Sequence, residues 1–366
     1  MLNIGFDAKR FFMNHTGLGN YSRDFIRILE TYYPENTYFK YTPKLPTKDI
    51  TDKNIHLPQG LWTKLPMLWR NKGIIKDLKR DQIDIYHGLS GEIPVGLKKS
   101  DIKSVVTIHD LIFLRFPELY KSVDRWIYNK KAKYAVENSD KIIAISNQTK
   151  HDIINFYQIP ANKIDVIYQV CHPAFKTFKE ETAKDKIRQR YKLPENFILN
   201  VGSIEPRKNA FQIVKAIETI DIPLVIIGKE TPYSDSIKKY VSAHNLESKV
   251  IFMKGMSMDE LATVYAMASI FIYPSKFEGF GIPIIEALFS GTPVITNNSG
   301  VFPEAGGPNS CYIDPDNVDE IKFAIQSILG SNELQKEMSI KGLEYAQQFN
   351  DDVIASQIMT CYKSLK

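Results

Sequence analysis

Residues 269–298 read SIFIYPSKFEGFGIPIIEALFSGTPVITNN. SIFIYPS is a short run of β-branched and aromatic residues, apolar on both faces as a buried parallel strand requires. KFEGFGIP is a loop, because Gly279 and Gly281 free the backbone for close approach to a ligand. IPIIEALFSG has helical spacing, with Pro283 in the first turn, where a missing N–H costs nothing. TPVITNN is a second apolar run. Strand, loop, helix and strand in that order are the repeating unit of a parallel α/β sheet.

Working outward, the same alternation recurs. LNIGFD, DIYHG, KSVVTIHD, DKIIAIS and KIDVIYQ read as strands in the first half, and NFILNVG, PLVIIG, KVIFMKG and CYID in the second. Helical patterns lie between them: YSRDFIRILETYY, WIYNKKAKYAVENS, AFQIVKAIETI, MDELATVYAMA, VDEIKFAIQSILG and ELQKEMSIKGLEYAQQF. Alternation on both sides of residue 175 implies two doubly wound α/β domains, and 366 residues exceed what one core usually holds. YQVCHPAFKTF contains Pro173 and has no clear period, so the linker falls there. The expected domains are therefore 1–173 and 174–350, followed by an amphipathic helix in DDVIASQIMTCYKSLK, residues 351–366.

Bulk composition excludes several classes. With 43% apolar and 24% charged residues the chain is globular rather than disordered. No apolar run approaches the roughly 20 residues of a membrane span. MLNIGFDAKRFF reads as a first strand rather than a signal peptide. Cys171, Cys311 and Cys361 lie too far apart in sequence for a disulfide framework or a zinc site. A cytoplasmic protein is expected. The net charge of +5 is uneven: residues 1–180 hold 28 Lys and Arg against 19 Asp and Glu, and the remainder 19 against 23. A basic first half suits an anionic partner such as a membrane surface, or is simply solvated. GLWTKLPMLWRNKGIIKDLKR, residues 60–80, sharpens that choice. It mixes Trp62, Met67, Leu68 and Trp69 with Lys64, Arg70, Lys72, Lys76, Lys79 and Arg80, a composition that suits an anionic bilayer surface. The competing reading is a helix packing its aromatics inward.

In open α/β sheets, ligands sit beyond the carboxyl ends of the strands. The unusual residues fall at those ends: TGLGNYSRDF after the first strand, His109-Asp110 after KSVVTI, SIEPRKN after FILNVG, and KFEGFGIP after FIYPS. Glu278 with its glycines offers a carboxylate and a row of backbone donors, which suits a polyhydroxyl ring. Glu286, placed in the first helical turn, can accept two hydrogen bonds from a diol such as ribose. Arg207 and Lys208 suit a diphosphate. Gly17 and Gly19 open a helix whose N–H groups could meet phosphate, although the third glycine of a dinucleotide fingerprint is missing. Taken singly, each has a bland alternative: dipole complementarity for Glu286, an exposed basic turn for Arg207 and Lys208, a structural ring for His109. Asp314-Pro315-Asp316 reads as a turn rather than a metal site.

Together these residues are familiar. PSKFEGFGIPIIEALFSGTPVITNNSGVFPEAGG, followed by Asp314-Pro315-Asp316, closely resembles the signature of the retaining family 4 (group 1) glycosyltransferases. TGLGNY, TIHDLIFLRFPE, AISNQTKHDI and VGSIEPRKN resemble its other landmarks, so the likeness spans nearly the whole chain. The resemblance implies a GT-B fold: two Rossmann-like doubly wound domains facing a central cleft, acceptor on 1–173, nucleotide sugar mainly on 174–350, and a last helix, 351–366, crossing back to the first domain. It implies that Glu278 and the backbone of Gly279, Phe280, Gly281 and Ile282 hold the donor sugar and that Glu286 takes the ribose hydroxyls. Arg207 and Lys208 would neutralise the diphosphate, with no metal or other cofactor required. Gly17 and Gly19 would lie near the diphosphate and His109 near the transferred sugar. Glu278, His109, Arg207 and Lys208 are the implied catalytic set. Ser203 is counted with the donor-binding residues, but many members carry arginine at its place, so Arg207 would take over that role.

The likeness is greatest to mannosyltransferase-like members that build bacterial surface polysaccharides. It implies transfer of a hexose, with mannose from GDP-mannose as the best assignment, onto a glycan or polyprenyl-linked acceptor, and no nucleic-acid partner. Peripheral association with the cytoplasmic face of the inner membrane would follow from the basic first domain. The alternatives are a nucleotide-sugar epimerase or hydrolase of the same fold, and a non-catalytic sugar-nucleotide-binding subunit.

Overall fold

Every apolar run quoted above becomes a strand in the computed structural model, which describes residues 1–14, 16–45 and 54–365. The chain divides into two compact units. Unit 1 is Met1–Val170 with Asn350–Lys366, and unit 2 is Cys171–Phe349. The division falls between Val170 and Cys171 rather than after Pro173. Pro173 opens a short turn, Pro173–Lys176, whose Phe175 is buried within unit 2.

Unit 1 holds β1 (Asn3–Asp7), β2 (Thr37–Tyr41), β3 (Ile55–His56), β4 (Ile85–Gly88), β5 (Lys103–Ile108), β6 (Lys141–Ala144) and β7 (Ile164–Val166). They form one parallel sheet in the order β3-β2-β1-β4-β5-β6-β7. The order reverses beside β1, the topological switch of a doubly wound sheet. Sequence reading missed β2 and β3. The pattern TYFKY hides its strand because Lys40 interrupts the apolar run. Lys40 is nevertheless buried, its Nζ 2.6 Å from Glu30 Oε1.

Unit 2 holds β8 (Ile198–Val201), β9 (Leu224–Ile227), β10 (Val250–Met253), β11 (Ile270–Tyr273), β12 (Val294–Asn297) and β13 (Cys311–Ile313), parallel in the order β10-β9-β8-β11-β12-β13. Its interior is aliphatic, with Ile198, Leu224, Ile226, Ile272 and Ile295 in the sheet packed against Ile213, Ile217 and Ile325 from helices. Sequence reading also left unassigned the helices Asn147–Tyr157, Glu181–Tyr191 and Pro232–Ala243.

The final helix, Asp351–Lys363, belongs to unit 1 although the whole of unit 2 precedes it in sequence. It buries Ile354, Ile358, Met359 and Tyr362. At its start Asp351 meets Arg27 of the helix Gly17–Tyr32 at 2.7 Å. At its end the Tyr362 hydroxyl lies 2.7 Å from His87 Nδ1, while His87 Nε2 lies 2.9 Å from Thr107 Oγ1. A tyrosine thus hooks the last helix onto β4 and β5 through one imidazole.

The segment 60–80 partly reverses its sequence reading. Trp69 is fully buried and donates its indole N–H to Asp77 at 2.6 Å. Arg70 is also buried, paired with Asp7 and, at 2.6 Å, with Glu92. Neither belongs to an outer face. What remains outside includes Leu61, Leu65, Met67 and Leu68 with Lys64, Lys72, Lys76, Lys79 and Arg80.

His87 has no solvent exposure, and burial pulls its pKa from 6.5 down to about 3. Above pH 6.5 the ring is neutral folded or unfolded. Between about 6.5 and 3 the unfolded chain binds a proton that the folded chain refuses, so stability falls with pH across that window. We expect denaturant unfolding to show wild type losing more stability than His87→Gln between pH 7 and pH 4.5, by on the order of 2 kcal/mol. Equal losses would remove His87 as the cause.

Candidate functional site

The carboxyl ends of β8 and β11 lie side by side in unit 2, and two loops leave them. Gly202 ends the first strand with φ 146°, and a side chain there would strike the stem of Lys208 at 3.1 Å. On the neighbouring strand, a Cβ at Gly228 would sit 1.8 Å from the Gly202 carbonyl oxygen, so only glycine fits. Ser203 follows, and then Pro206–Lys208 make one tight turn that ends at Asn209 in the left-handed region, φ 59°. Asn209 tolerates that conformation and donates to the Pro315 carbonyl at 2.6 Å, fixing the turn. Asp314-Pro315-Asp316 is accordingly a brace: Asp316 N donates to Asp314 Oδ1 at 2.9 Å, and Asp316 pairs with Lys276 at 2.7 Å.

The loop after β11 is joined to this turn by backbone. Lys276 N donates to the Arg207 carbonyl at 2.9 Å, and Ser275 Oγ lies 3.3 Å from the same oxygen. Asn297 holds the Ser275 carbonyl at 2.9 Å, and the buried Asn200 holds the Ile272 carbonyl at 2.8 Å. Two loops about seventy residues apart in sequence are thereby set as one piece.

Their side chains converge on Glu278. Arg207 Nη1 lies 2.8 Å from Glu278 Oε1, and Lys208 Nζ lies 3.7 Å from the same oxygen. Arg207 also meets Glu205 at 2.9 Å and donates to the Phe277 carbonyl. Two partners were not visible in the sequence. Tyr273 donates its hydroxyl to Glu278 Oε1 at 2.8 Å while accepting from Lys208 Nζ at 2.9 Å. Ser275 Oγ donates to Glu278 Oε1 at 3.0 Å. Burial pushes the Glu278 carboxyl up, but Lys208 and Arg207 outweigh it and hold the group below its ordinary value. Burial pulls the Arg207 guanidinium down, and Glu278 more than restores it. The site therefore carries an ionised carboxylate between two cations, clamped by a tyrosine.

Gly281, at φ 116°, caps the helix Ile282–Phe289, so Pro283 is its second residue and Glu286 lies in the second turn, not the first. Glu286 is thus no dipole complement. It is 8% exposed and accepts from the buried Tyr265 hydroxyl at 3.0 Å. Phe280 turns its ring inward onto Phe349, centroids 5.6 Å apart, and anchors the glycine loop. Gly279 and Ile282 flank it.

Gly17, Gly19 and His109 belong to unit 1. Gly17 opens its helix with nothing near a Cβ, whereas a Cβ on Gly19 would sit 1.8 Å from the Asn14 carbonyl oxygen. His109 follows β5 and lines a cavity of about 310 Å³ with Arg10, Asp110 and Tyr128. Its Nε2 lies 2.9 Å from the Leu89 carbonyl oxygen, and Gln169 Nε2 lies 3.3 Å from its Nδ1. The carbonyl can only accept, so Nε2 carries the proton and Nδ1 accepts from the Gln169 amide. Burial lowers its pKa to about 4, leaving it neutral at pH 7 with both nitrogens engaged. That arrangement orients a ring and does not suit a general base. Among the described residues no three His, Cys, Asp or Glu side chains gather as metal ligands.

Comparison with known proteins agrees with this architecture. Residues 34–173 match the family described as Glycosyltransferase Family 4, and residues 183–345 that described as Glycosyl transferases group 1. The O-antigen chain mannosyltransferase B of Escherichia coli is 29% identical over 295 residues, covering 78% of this chain and 76% of that protein. The O-antigen chain mannosyltransferase RfbU of Salmonella typhimurium is 30% identical over 225 residues, 61% of this chain and 60% of that one. Among solved structures, the sucrose-phosphate synthase of Thermosynechococcus elongatus matches with a TM-score of 0.80 and 20% identity, over 100% of this chain and 99% of that one. At that identity the likeness is one of fold.

Removing the Glu278 charge leaves Arg207 and Lys208 without their shared counter-ion. Glu278→Gln is expected to cost about 1–3 kcal/mol in urea unfolding at pH 7, and Glu205→Gln, more exposed, under about 1 kcal/mol. Because the Glu278 pKa is depressed, its contribution is present above the ordinary carboxylate value and is lost as pH falls below it. Equal costs for the two variants at pH 7 would contradict the geometry.

Proposed function

Since the chain belongs to the group 1 glycosyltransferases and has their two-domain GT-B fold, we propose that it moves a hexose from a nucleoside diphosphate to an acceptor hydroxyl with retention of anomeric configuration. The observation that carries this reading is the convergence of Arg207, Lys208 and Glu278 at the carboxyl edge of the unit 2 sheet. The relatives are named as O-antigen mannosyltransferases, which favours mannose as the sugar and a glycan of a bacterial surface polysaccharide as the acceptor; GDP-mannose is the donor we assign.

In the reaction, the bond between the anomeric carbon and the phosphate oxygen breaks, and its electron pair leaves with the diphosphate. The transition state is positive at the sugar and increasingly negative at the phosphate. Arg207 and Lys208, already fixed by Tyr273 and the backbone bond from Lys276, lie where that negative charge grows and need no reorganisation to meet it. Glu278 and the backbone of Gly279, Phe280, Gly281 and Ile282 hold the sugar hydroxyls, and Glu286, steadied by Tyr265, takes the ribose diol. The acceptor oxygen bonds to the same face that the phosphate leaves, and its proton passes to the departing phosphate oxygen. His109, with both nitrogens engaged, is not the base; it and the Gly17–Gly19 turn help shape the unit 1 surface for acceptor and donor. No step requires a metal.

Leu61, Leu65, Met67 and Leu68 interspersed with Lys64, Lys72 and Lys76 support a lipid-linked acceptor met at an anionic bilayer.

Lys208→Ala and Glu278→Ala are expected to lower kcat about 100- to 1,000-fold, and Glu286→Ala chiefly to raise the donor KM. Turnover measured with a panel of nucleotide sugars should need an acceptor and survive a chelator. Full turnover in the Lys208 and Glu278 variants refutes the mechanism, and sugar release without acceptor makes the protein a hydrolase. In flotation assays the wild type should rise with vesicles containing anionic lipid, and Leu65→Glu with Leu68→Glu should not; no binding to either vesicle type removes the membrane.

A further inference from the structure

Two surfaces play no part in the chemistry above. The first, on unit 2, is a groove of about 690 Å³ beside β13, an edge strand of that sheet. Phe323, Ile328, Leu334 and Met338 line its apolar side, and the Phe323 ring is 72% exposed. Its lining carries the carboxylates of Asp319, Glu320 and Glu337 and no lysine, arginine or histidine. Lys341, outside the lining, pairs with Glu337, which leaves Asp319 and Glu320 to set the sign of the rim. An open sheet edge beside an exposed phenylalanine is the kind of surface that proteins ordinarily cover.

The second surface is on unit 1. Leu119 precedes the helix Ser122–Asn138, and Val123 and Trp126, one turn apart, stand on its outside. Their exposures are 55%, 68% and 62%. Lys121, Arg125 and Lys130 lie among them with the exposed Glu118 and Asp124, three cations against two anions, and Lys130 Nζ is 5.0 Å from the Trp126 ring centre. A tryptophan left this open, within reach of basic side chains, has the chemistry of an interface anchor, since tryptophan and arginine dominate contact energetics.

We propose that these two surfaces are the halves of one contact between copies of this chain, Trp126 of one copy seating in the β13 groove of the next. Lys121 and Lys130 then face Asp319 and Glu320, and the basic first half of one molecule approaches the acidic second half of another. The two halves differ, so the contact is heterologous: it closes as a ring or runs as a chain. Three exposed apolar side chains against one groove make a small interface, of the weak and transient class with micromolar affinity. The inference does not depend on the proposed activity.

Sedimentation velocity on the full chain from about 1 to about 100 μM should show concentration-dependent association that weakens with added salt. Trp126→Ala and Phe323→Glu, both at exposed positions, should each be monomeric with unchanged circular dichroism. Mixing the two variants is decisive, because each keeps the half that the other lacks: the mixture should form pairs, and growth should stop at two. A wild type that stays monomeric at about 100 μM, or variants that fail to associate on mixing, overturns the proposal. If Trp126→Ala instead abolishes flotation with anionic vesicles while the wild type remains monomeric, the helix is a bilayer anchor and the contact between copies is refuted.

Discussion

Glu278 is a carboxylate removed from most of the solvent, and water is replaced there by four fixed partners. Arg207 and Lys208 supply the charge, Tyr273 and Ser275 the neutral donors. A buried ion pair costs desolvation energy that only good geometry repays, and the geometry here is imposed from outside the pair. β8 and β11 are neighbours in the sheet, their loops share a backbone hydrogen bond, and Asn200 and Asn297 tie down the carbonyls behind them. If either loop shifts, the charges lose one another.

Unit 1 solves a similar problem with a different purpose. Asp7 at the end of β1 is buried against Arg70, and Arg70 reaches on to Glu92. That network fixes the carboxyl edge of the sheet beside the His109 cavity, whose floor is held by the Leu89 carbonyl and by Gln169. Both units thus spend buried charge or buried imidazole at the edge where ligands meet α/β sheets, and leave their aliphatic interiors free of it.

The strands and the glycine loop were legible in the sequence because each has a local cause: a short apolar run, a glycine needed for φ or close approach, a proline at a helix start. So was the position of Arg207, Lys208 and Glu278 at strand ends, but not their pairing, since the sequence reading gives the cations to a diphosphate and the carboxylate to a sugar. What escaped has non-local causes. Tyr273 looks like an ordinary strand aromatic until Lys208 and Glu278 are seen on either side of its hydroxyl. Tyr265 is likewise mute without Glu286. The strand Thr37–Tyr41 contains a lysine whose burial makes sense only beside Glu30. Glu286 was assigned one turn too early because Gly281, rather than a later residue, caps the helix.

The hook between Tyr362 and His87 also has a temporal meaning. During synthesis the sheet of unit 1 emerges first, yet the helix that seals it is translated only after residues 171–349 have been made. Domains tend to fold as they leave the ribosome, so the seat for Ile354, Ile358 and Tyr362 stands open throughout that interval. The first half of this chain is therefore the part that waits, and nascent-chain chaperones have their longest opportunity there.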